Sequence, residues 1–444
     1  MGAESYIAAS DAARAGTGET VAEAEMTARP GRVLIYGINY APEPTGVGRY
    51  TGDIGAYLSQ TGNRVEVVTA VPHYPGWMPR DGYRNRYQAE EMAGVRVVRC
   101  PLLLKSDMHG IWRLIAPLSF AVTSAPVAIW KILTMRPDTV FCVEPTLFSS
   151  PVALFFAKLM GARTVLHVQD LEIDAAFAVG HLGKGPLQKV AYWGERHLLR
   201  AFTSIVTIST GMRAMLEAKG VPAERMSIVR NWVDTNKVKP AAPDPAMREE
   251  LGLSPTAFTI LYAGNIGPKQ ALPLVLDAAE ALAERPGLEF VVAGDGPEKA
   301  KLVARYGHLP NVRFLPIQPE GRFHKLLSAV DGHILPQHAG TADMLLPSKL
   351  GGMLASGKPC IVMANSGTEL YDFLSEAAIM VSTDHPERLV AAITDLAGGK
   401  AGVDKGAQLK LAESLDIGSC LKALSAIILG GRTAPEARTG QQGR

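Results

Sequence analysis

The chain has 444 residues, 47% of them hydrophobic, enough for two domains with their own cores. Its formal net charge is only +2 with acids and bases interspersed, so no global field points to nucleic acid. Four cysteines, Cys100, Cys142, Cys360 and Cys420, stand far apart with no CxxC pair or His-rich cluster; they read as reduced, buried thiols of a cytosolic protein.

Residues 1–30 are rich in Ala, Gly, Thr and Glu and lack an apolar core of signal-peptide length, so they read as a flexible arm. From residue 31, short runs rich in Val and Ile alternate with longer helical patterns. The first series of candidate strands is Arg32–Tyr36, Arg64–Val68, Val95–Val98, Thr139–Val143, Thr164–Val168 and Ser204–Ile208. Within it, residues 114–130 carry no charge and are bracketed by Arg113 and Lys131. Pro117 and Pro126 interrupt the run, and a membrane span needs roughly twenty apolar residues. A buried core helix and an interfacial helix with Trp112 and Trp130 at headgroup level both fit. Next, Lys237–Pro245 holds three prolines and suits a crossing between domains. A second series follows: Thr259–Tyr262, Glu289–Ala293, Val312–Leu315, Gly332–Leu335 and Pro359–Met363. Buried strands in βα alternation predict parallel sheets. The expected fold is α/β, with two Rossmann-like doubly wound domains, 31–236 and 237–402, facing a cleft. A helical stretch covers 403–428, and 430–444 reads as a disordered tail.

Several turns carry candidate chemistry. Gly46-Val47-Gly48 leads from the first strand into a helix, where glycines let backbone approach a phosphate or sugar. In the second series Leu261–Gly267 runs from a strand toward Lys269, a cation at a helix start that suits an anionic ligand. Gly294 to Pro297 is another Gly-rich strand exit. Leu346–Pro359 opens a helix with Pro347, Ser348 and Lys349 and stops it with Gly357 and Pro359; a helix N-terminus with a hydroxyl and a lysine is a phosphate site. His167, Gln169 and Asp170 end a strand, with His167 and Gln169 on one side. Each has a plainer reading too: a connecting turn, a solvated lysine, and for His167 a satisfied structural group. No Asp-x-Asp motif or ligand-spaced His/Cys cluster is present, so no metal is expected.

Taken with Ser227–Asn236 and Ala355–Pro359, these segments resemble the family-4, retaining, GT-B-fold glycosyltransferases over about residues 31–430. The runs YAPEPTGVGRYT, VQDL, YAGNIG and LPSKL are most similar to the subgroup that builds colanic-acid-type exopolysaccharides. The resemblance implies that residues 403–428 pack back on the first domain. It implies that Gly46, Val47 and Gly48 lie against the donor's diphosphate and sugar, that Lys269 neutralises the diphosphate, and that Ser348, with Lys349 in the following turn, binds it. Gly294 would border the base or ribose. Asn265 stands where the family has Arg, and the family's paired glutamates fall near Met344 and Gly352, with Asp343 adjacent. The family's His-Asp pair reads Gln169-Asp170 here, giving Asp170 an electrostatic role in catalysis and Gln169 a sugar hydroxyl. The implied substrates are a nucleotide-diphosphate sugar and a lipid-linked saccharide, with no cofactor. The implied location is cytoplasmic, peripheral at the inner membrane face. A nucleotide-sugar epimerase of the same fold and a non-catalytic nucleotide-sugar binder are the alternatives.

Overall fold

A computed structural model describes residues 29–431 except 44–45, 75, 106–111, 146, 172–185 and 339–345. Residues 1–28 of the expected arm, residues 432–444 of the expected tail, and Asp343 and Met344 lie outside the described residues. The chain divides into two compact units. One takes the chain to Val206, Gly220–Ser227 and Leu421 onward; the other takes Thr207–Lys219 and Ile228–Cys420.

The first unit is built on an eight-stranded sheet in the order β3-β4-β2-β1-β5-β6-β7-β8. The strands are β1 Arg32–Tyr36, β2 Arg64–Ala70, β3 Gln88–Met92, β4 Val95–Cys100, β5 Thr139–Glu144, β6 Arg163–Val168, β7 Ser204–Thr207 and β8 Met226–Ile228. Strands β4, β2, β1, β5 and β6 run parallel. Their apolar runs follow from cover on both faces: Val33, Leu34, Ile35, Val140 and Phe141 are all fully buried. Helices α1 (Val47–Gln60), α2 (Trp112–Met135), α3 (Ser150–Leu159) and α4 (Pro186–Ala201) cover the sheet. The polar strand β3 pairs antiparallel at the edge, which is how charged residues find a place in a sheet.

The second unit carries a six-stranded parallel sheet, β11-β10-β9-β12-β13-β14. Its strands are β9 Phe258–Ala263, β10 Leu288–Ala293, β11 Val312–Leu315, β12 Gly332–Leu335, β13 Cys360–Met363 and β14 Ile379–Val381. Side chains alternate between two cores. Leu261, Val291, Leu335 and Val362 face one; Ile260, Tyr262, Phe290 and Met363 face the other.

Three short strands, β3, β8 and β14, escape a sequence reading because they are polar or only three residues long. The final helical stretch is two helices, Lys405–Ser414 and Ile417–Leu429. The break falls at Asp416, whose carboxylate accepts from the N–H groups of Gly418 and Ser419 and so starts a new helix. The second of these helices returns to the first unit, where Thr139 Oγ1 donates to the Ile428 carbonyl at 2.9 Å. All four cysteines are buried and unpaired.

Candidate functional site

In each sheet the chain order reverses beside one strand. In the first unit β1 lies between β2 and β5, and in the second β9 lies between β10 and β12. Open α/β sheets bind ligands at such switch points, beyond the carboxyl ends of the strands. Most candidate residues lie at these exits, in two loci, with Gln169 and Asp170 past β6.

The first locus follows β1. Gly46 adopts φ 68°, a left-handed conformation that a side chain would strain, and it is the residue before α1. The ring of Tyr74 borders Gly46. Gly48 lies in the first turn of α1, where any Cβ would overlap the Glu43 carboxylate. Its missing side chain therefore makes room for Glu43, a packing reason alongside the ligand reading. Val47 is part-buried beside it. Glu43 is 3% exposed and had no place among the sequence candidates. It accepts from Asn39 Nδ2 at 2.9 Å, from the His73 N–H at 3.2 Å and from the Tyr74 N–H at 3.1 Å. The carboxylate thus joins the β1 exit to the loop after β2. Burial pushes its pKa up, opposed by the nearby His73 and these hydrogen bonds. Two arginines hold the same loop from below. Arg99, itself fully buried, donates to the Ala41 carbonyl at 2.6 Å, and Arg80 donates to the Pro42 carbonyl. An acid between two prolines carries no sequence mark of burial, which is why it was missed.

Past β6, His167 and Gln169 do share a side: their Nε2 atoms are 3.1 Å apart. His167 is fully buried against Phe141, and burial pushes its pKa down to about 3, so it stays neutral. Gln169 is 7% exposed, with its amide directed at His167, whereas Asp170 is exposed. The Leu171 N–H donates to the Asp170 carboxylate at 2.9 Å.

The second locus follows β9, β10 and β12. The exits of β9 and β10 interlock backbone to backbone: the Ile266 N–H donates to the Asp295 carbonyl at 2.8 Å, and a Cβ on Gly294 would overlap the Gly264 carbonyl. Gly294 (φ 153°) and Gly264 (φ 148°) are glycines for this approach. Lys349 reaches the same place from the far side. Its Nζ sits 3.9 Å from the centroid of the Tyr262 ring and 3.4 Å from where a Gly264 Cβ would lie. Tyr262 in turn donates to the Asn265 carbonyl at 2.5 Å. Burial of the Lys349 ammonium pushes its pKa down to about 7. Among the described residues, the cation is held by a ring face.

Two sequence arguments change here. Lys269 does not start an α-helix: it lies exposed in a single 3₁₀ turn, Pro268–Gln270, and Ala271 (φ 45°) separates that turn from the helix beginning at Leu272. The dipole argument for Lys269 therefore lapses, although its backbone carbonyl contacts the His338 N–H beyond β12. Ser348 and Lys349 occupy a turn, and the helix after them is only Leu350–Ala355. Ser348 is exposed beside a small cavity lined also by Arg230, Asn231 and Pro347. Asn265 is exposed, its side chain against Gly267 and Gly296. Where the family has its second glutamate, Gly352 faces Leu327. The structure thus brings Gly264, Asn265, Gly294 and Lys349 together.

Residues 45–232 match the Glycosyl transferase 4-like domain, and residues 257–398 match Glycosyl transferases group 1. The chain is 39% identical over 376 residues to WcaI of Escherichia coli (strain K12), named for colanic acid biosynthesis glycosyl transfer; the match covers 82% of this chain and 91% of that one. Among solved structures it is similar to Anabaena HepE in complex with UDP and glucose, with TM-score 0.63 and 15% identity over 90% of this chain and 100% of that one. It is also similar to WaaG, a glycosyltransferase involved in lipopolysaccharide biosynthesis, with TM-score 0.62 and 14% identity over 90% and 100%. These two likenesses bear on the fold, which is GT-B.

Proposed function

We propose, because this chain belongs to the glycosyltransferase group 1 family, that it moves a hexosyl unit from a nucleotide-diphosphate sugar to a lipid-linked saccharide, with retention, in exopolysaccharide assembly. The observation that carries the donor reading is the Lys349 ammonium beside the β9 exit. A diphosphate is the ligand that such a cation, two close-packed glycine exits and an exposed Lys269 would suit. The complexes of HepE with UDP and UDP-glucose support the same reading, and the name of WcaI supports glycosyl transfer in exopolysaccharide assembly.

In this reading the second unit binds the donor. Lys349 and Lys269 offset the charge that builds on the departing diphosphate, which is electrostatic catalysis without a protein nucleophile. Ser348 and Asn265 add hydrogen bonds, and Gly294 borders the nucleoside. In the first unit Gly46 to Gly48 lie near the sugar, and Asp170 steadies the positive charge at the anomeric carbon. Gln169 hydrogen-bonds a sugar hydroxyl and so bears on KM and sugar choice. Asp170→Asn should lower kcat about a hundredfold or more; unchanged kcat and KM would make the aspartate a turn residue only.

The reaction as proposed uses no cofactor and no metal. Turnover should survive EDTA; loss that magnesium or manganese restores would overturn this. The acceptor places the protein at the inner membrane surface as a peripheral protein. The deciding experiment incubates purified protein with a panel of nucleotide sugars and lipid-linked acceptors. Transfer with release of the nucleoside diphosphate is expected. An isomerised sugar would identify an epimerase, and binding without turnover a non-catalytic binder.

A further inference from the structure

The helices on one face of the first sheet have an outer surface of unusual composition. The connections from β4 to β5 and from β5 to β6 join parallel strands and run the same way across the sheet. Right-handed crossovers then put α2 and α3 on the same face. Helix α2 packs on α3, and α3 on α4, so the three form one layer.

The inner side of α2 belongs to the core. Phe120, Ala128 and Ile132 are fully buried, and Ser124 hydrogen-bonds Tyr36 at 2.7 Å. Lys131 meets Glu66 at 2.6 Å in a buried ion pair. Although α2 is long and apolar enough to cross a bilayer, these ties hold it to the sheet. Its outer side is apolar as well. Leu118, Val122, Pro126 and Trp130 recur every fourth residue and are exposed, a stripe along one side of the helix. Helices α3 and α4 extend it. Val122, Trp130, Phe155, Leu159 and Trp193 are each 59–74% exposed. So many exposed apolar side chains on three adjoining helices call for an apolar partner.

Charge says which partner. Helices α2 and α3 contain no acidic residue, and the one acid of α4, Glu195, is 3% exposed. Lys158, Lys189 and Arg196 are exposed on α3 and α4. Apolar anchors among cations, with no exposed acid among the described residues of these three helices, match an anionic lipid surface.

We propose that the outer face of the α2–α3–α4 layer docks on an anionic phospholipid bilayer. It deepens the membrane reading above and rests on it. The aromatic and aliphatic side chains enter the interface, and Lys158, Lys189 and Arg196 meet the phosphates. The helices lie on the bilayer and do not span it.

Co-sedimentation with vesicles tests this, using phosphatidylcholine alone and phosphatidylcholine mixed with phosphatidylglycerol. The intact chain should bind the mixed vesicles at least tenfold better and release in high salt. The double variant Val122→Asp with Trp193→Asp should lose at least tenfold in binding while keeping its melting temperature. The variant Lys158→Glu, Lys189→Glu, Arg196→Glu should lose the preference for phosphatidylglycerol. Wild-type protein left in the supernatant with both vesicles would overturn the proposal. So would variants that bind as well as wild type, or a soluble dimer that the double variant disrupts. Transfer activity is read separately, with detergent-dispersed acceptor. Transfer without vesicle binding defeats the docking face alone; vesicle binding without transfer defeats the activity alone.

Discussion

Lys349 is the residue on which the donor reading turns, and its setting makes a signed prediction. Burial pushes its pKa down to about 7. A diphosphate beside it would raise that value, so binding takes up a proton. Affinity for the nucleotide sugar should be full below about pH 7 and weaken as pH rises above it. Calorimetry in buffers of different ionisation enthalpy measures the uptake. Lys349→Met should abolish it and weaken binding by about 1.5–3 kcal/mol, the range for a charged hydrogen bond. Lys269→Ala should weaken binding by less, because its ammonium remains in water and is screened by salt. Equal pH profiles for wild type and Lys349→Met would remove Lys349 from the site. Glu43 poses a different question. Glu43→Ala leaves the Asn39 amide and two backbone N–H groups without their acceptor. It should cost about 1–3 kcal/mol of stability and lower kcat. Glu43→Gln should recover most of the stability. A fully stable and active Glu43→Ala would mean that Arg80 and Arg99 hold the loop alone.

At the scale of elements, α2 shows how far a sequence reading reaches. Neighbouring positions on it should respond in opposite ways. Phe120 is fully buried, so Phe120→Ala should cost about 3–5 kcal/mol. Val122 is 74% exposed, and Val122→Ser should stay within about 0.5 kcal/mol. Urea denaturation compares them directly; equal costs would mean the helix is placed wrongly on the sheet. The sequence shows that residues 114–130 are apolar and bracketed by charge. It does not show which side of the helix faces the sheet, because both sides are apolar, and periodicity needs contrast. Most strands are legible for the converse reason: a parallel strand buried on both faces is a plain run of Val, Ile and Leu. The glycine exits are legible as turns. Their partners are not, since the match of Gly48 to Glu43 and of Gly294 to Gly264 joins separate loops. The lysine pair divides the same way. Lys269 stands out beside a Gly-rich turn yet lies exposed, whereas Lys349 owes its setting to Tyr262, 87 residues away.

For the whole molecule, the two units should respond separately to the donor. A ligand at 100 times its Kd stabilises what it binds by about 2.7 kcal/mol. If the donor binds the second unit, that stabilisation should appear in its unfolding. Trp232 is the one tryptophan in the second unit and is 2% exposed. In a variant that keeps only Trp232, donor nucleotide should shift the fluorescence transition upward; an unmoved transition would place donor binding elsewhere. The connectivity of the units has a further consequence, for engineering and descent. The chain passes between them four times, after Val206, Lys219, Ser227 and Cys420. Neither unit is therefore one continuous stretch of gene. A hybrid made by splicing two relatives once, at the proline-rich Lys237–Pro245, would part Thr207–Lys219 from the unit it packs with and give the first unit a foreign closing helix. If the second unit binds the donor, recombination that trades nucleotide preference should survive only when Thr207–Lys219 and Ile228–Cys420 travel together, so that donor binding moves as a two-piece cassette.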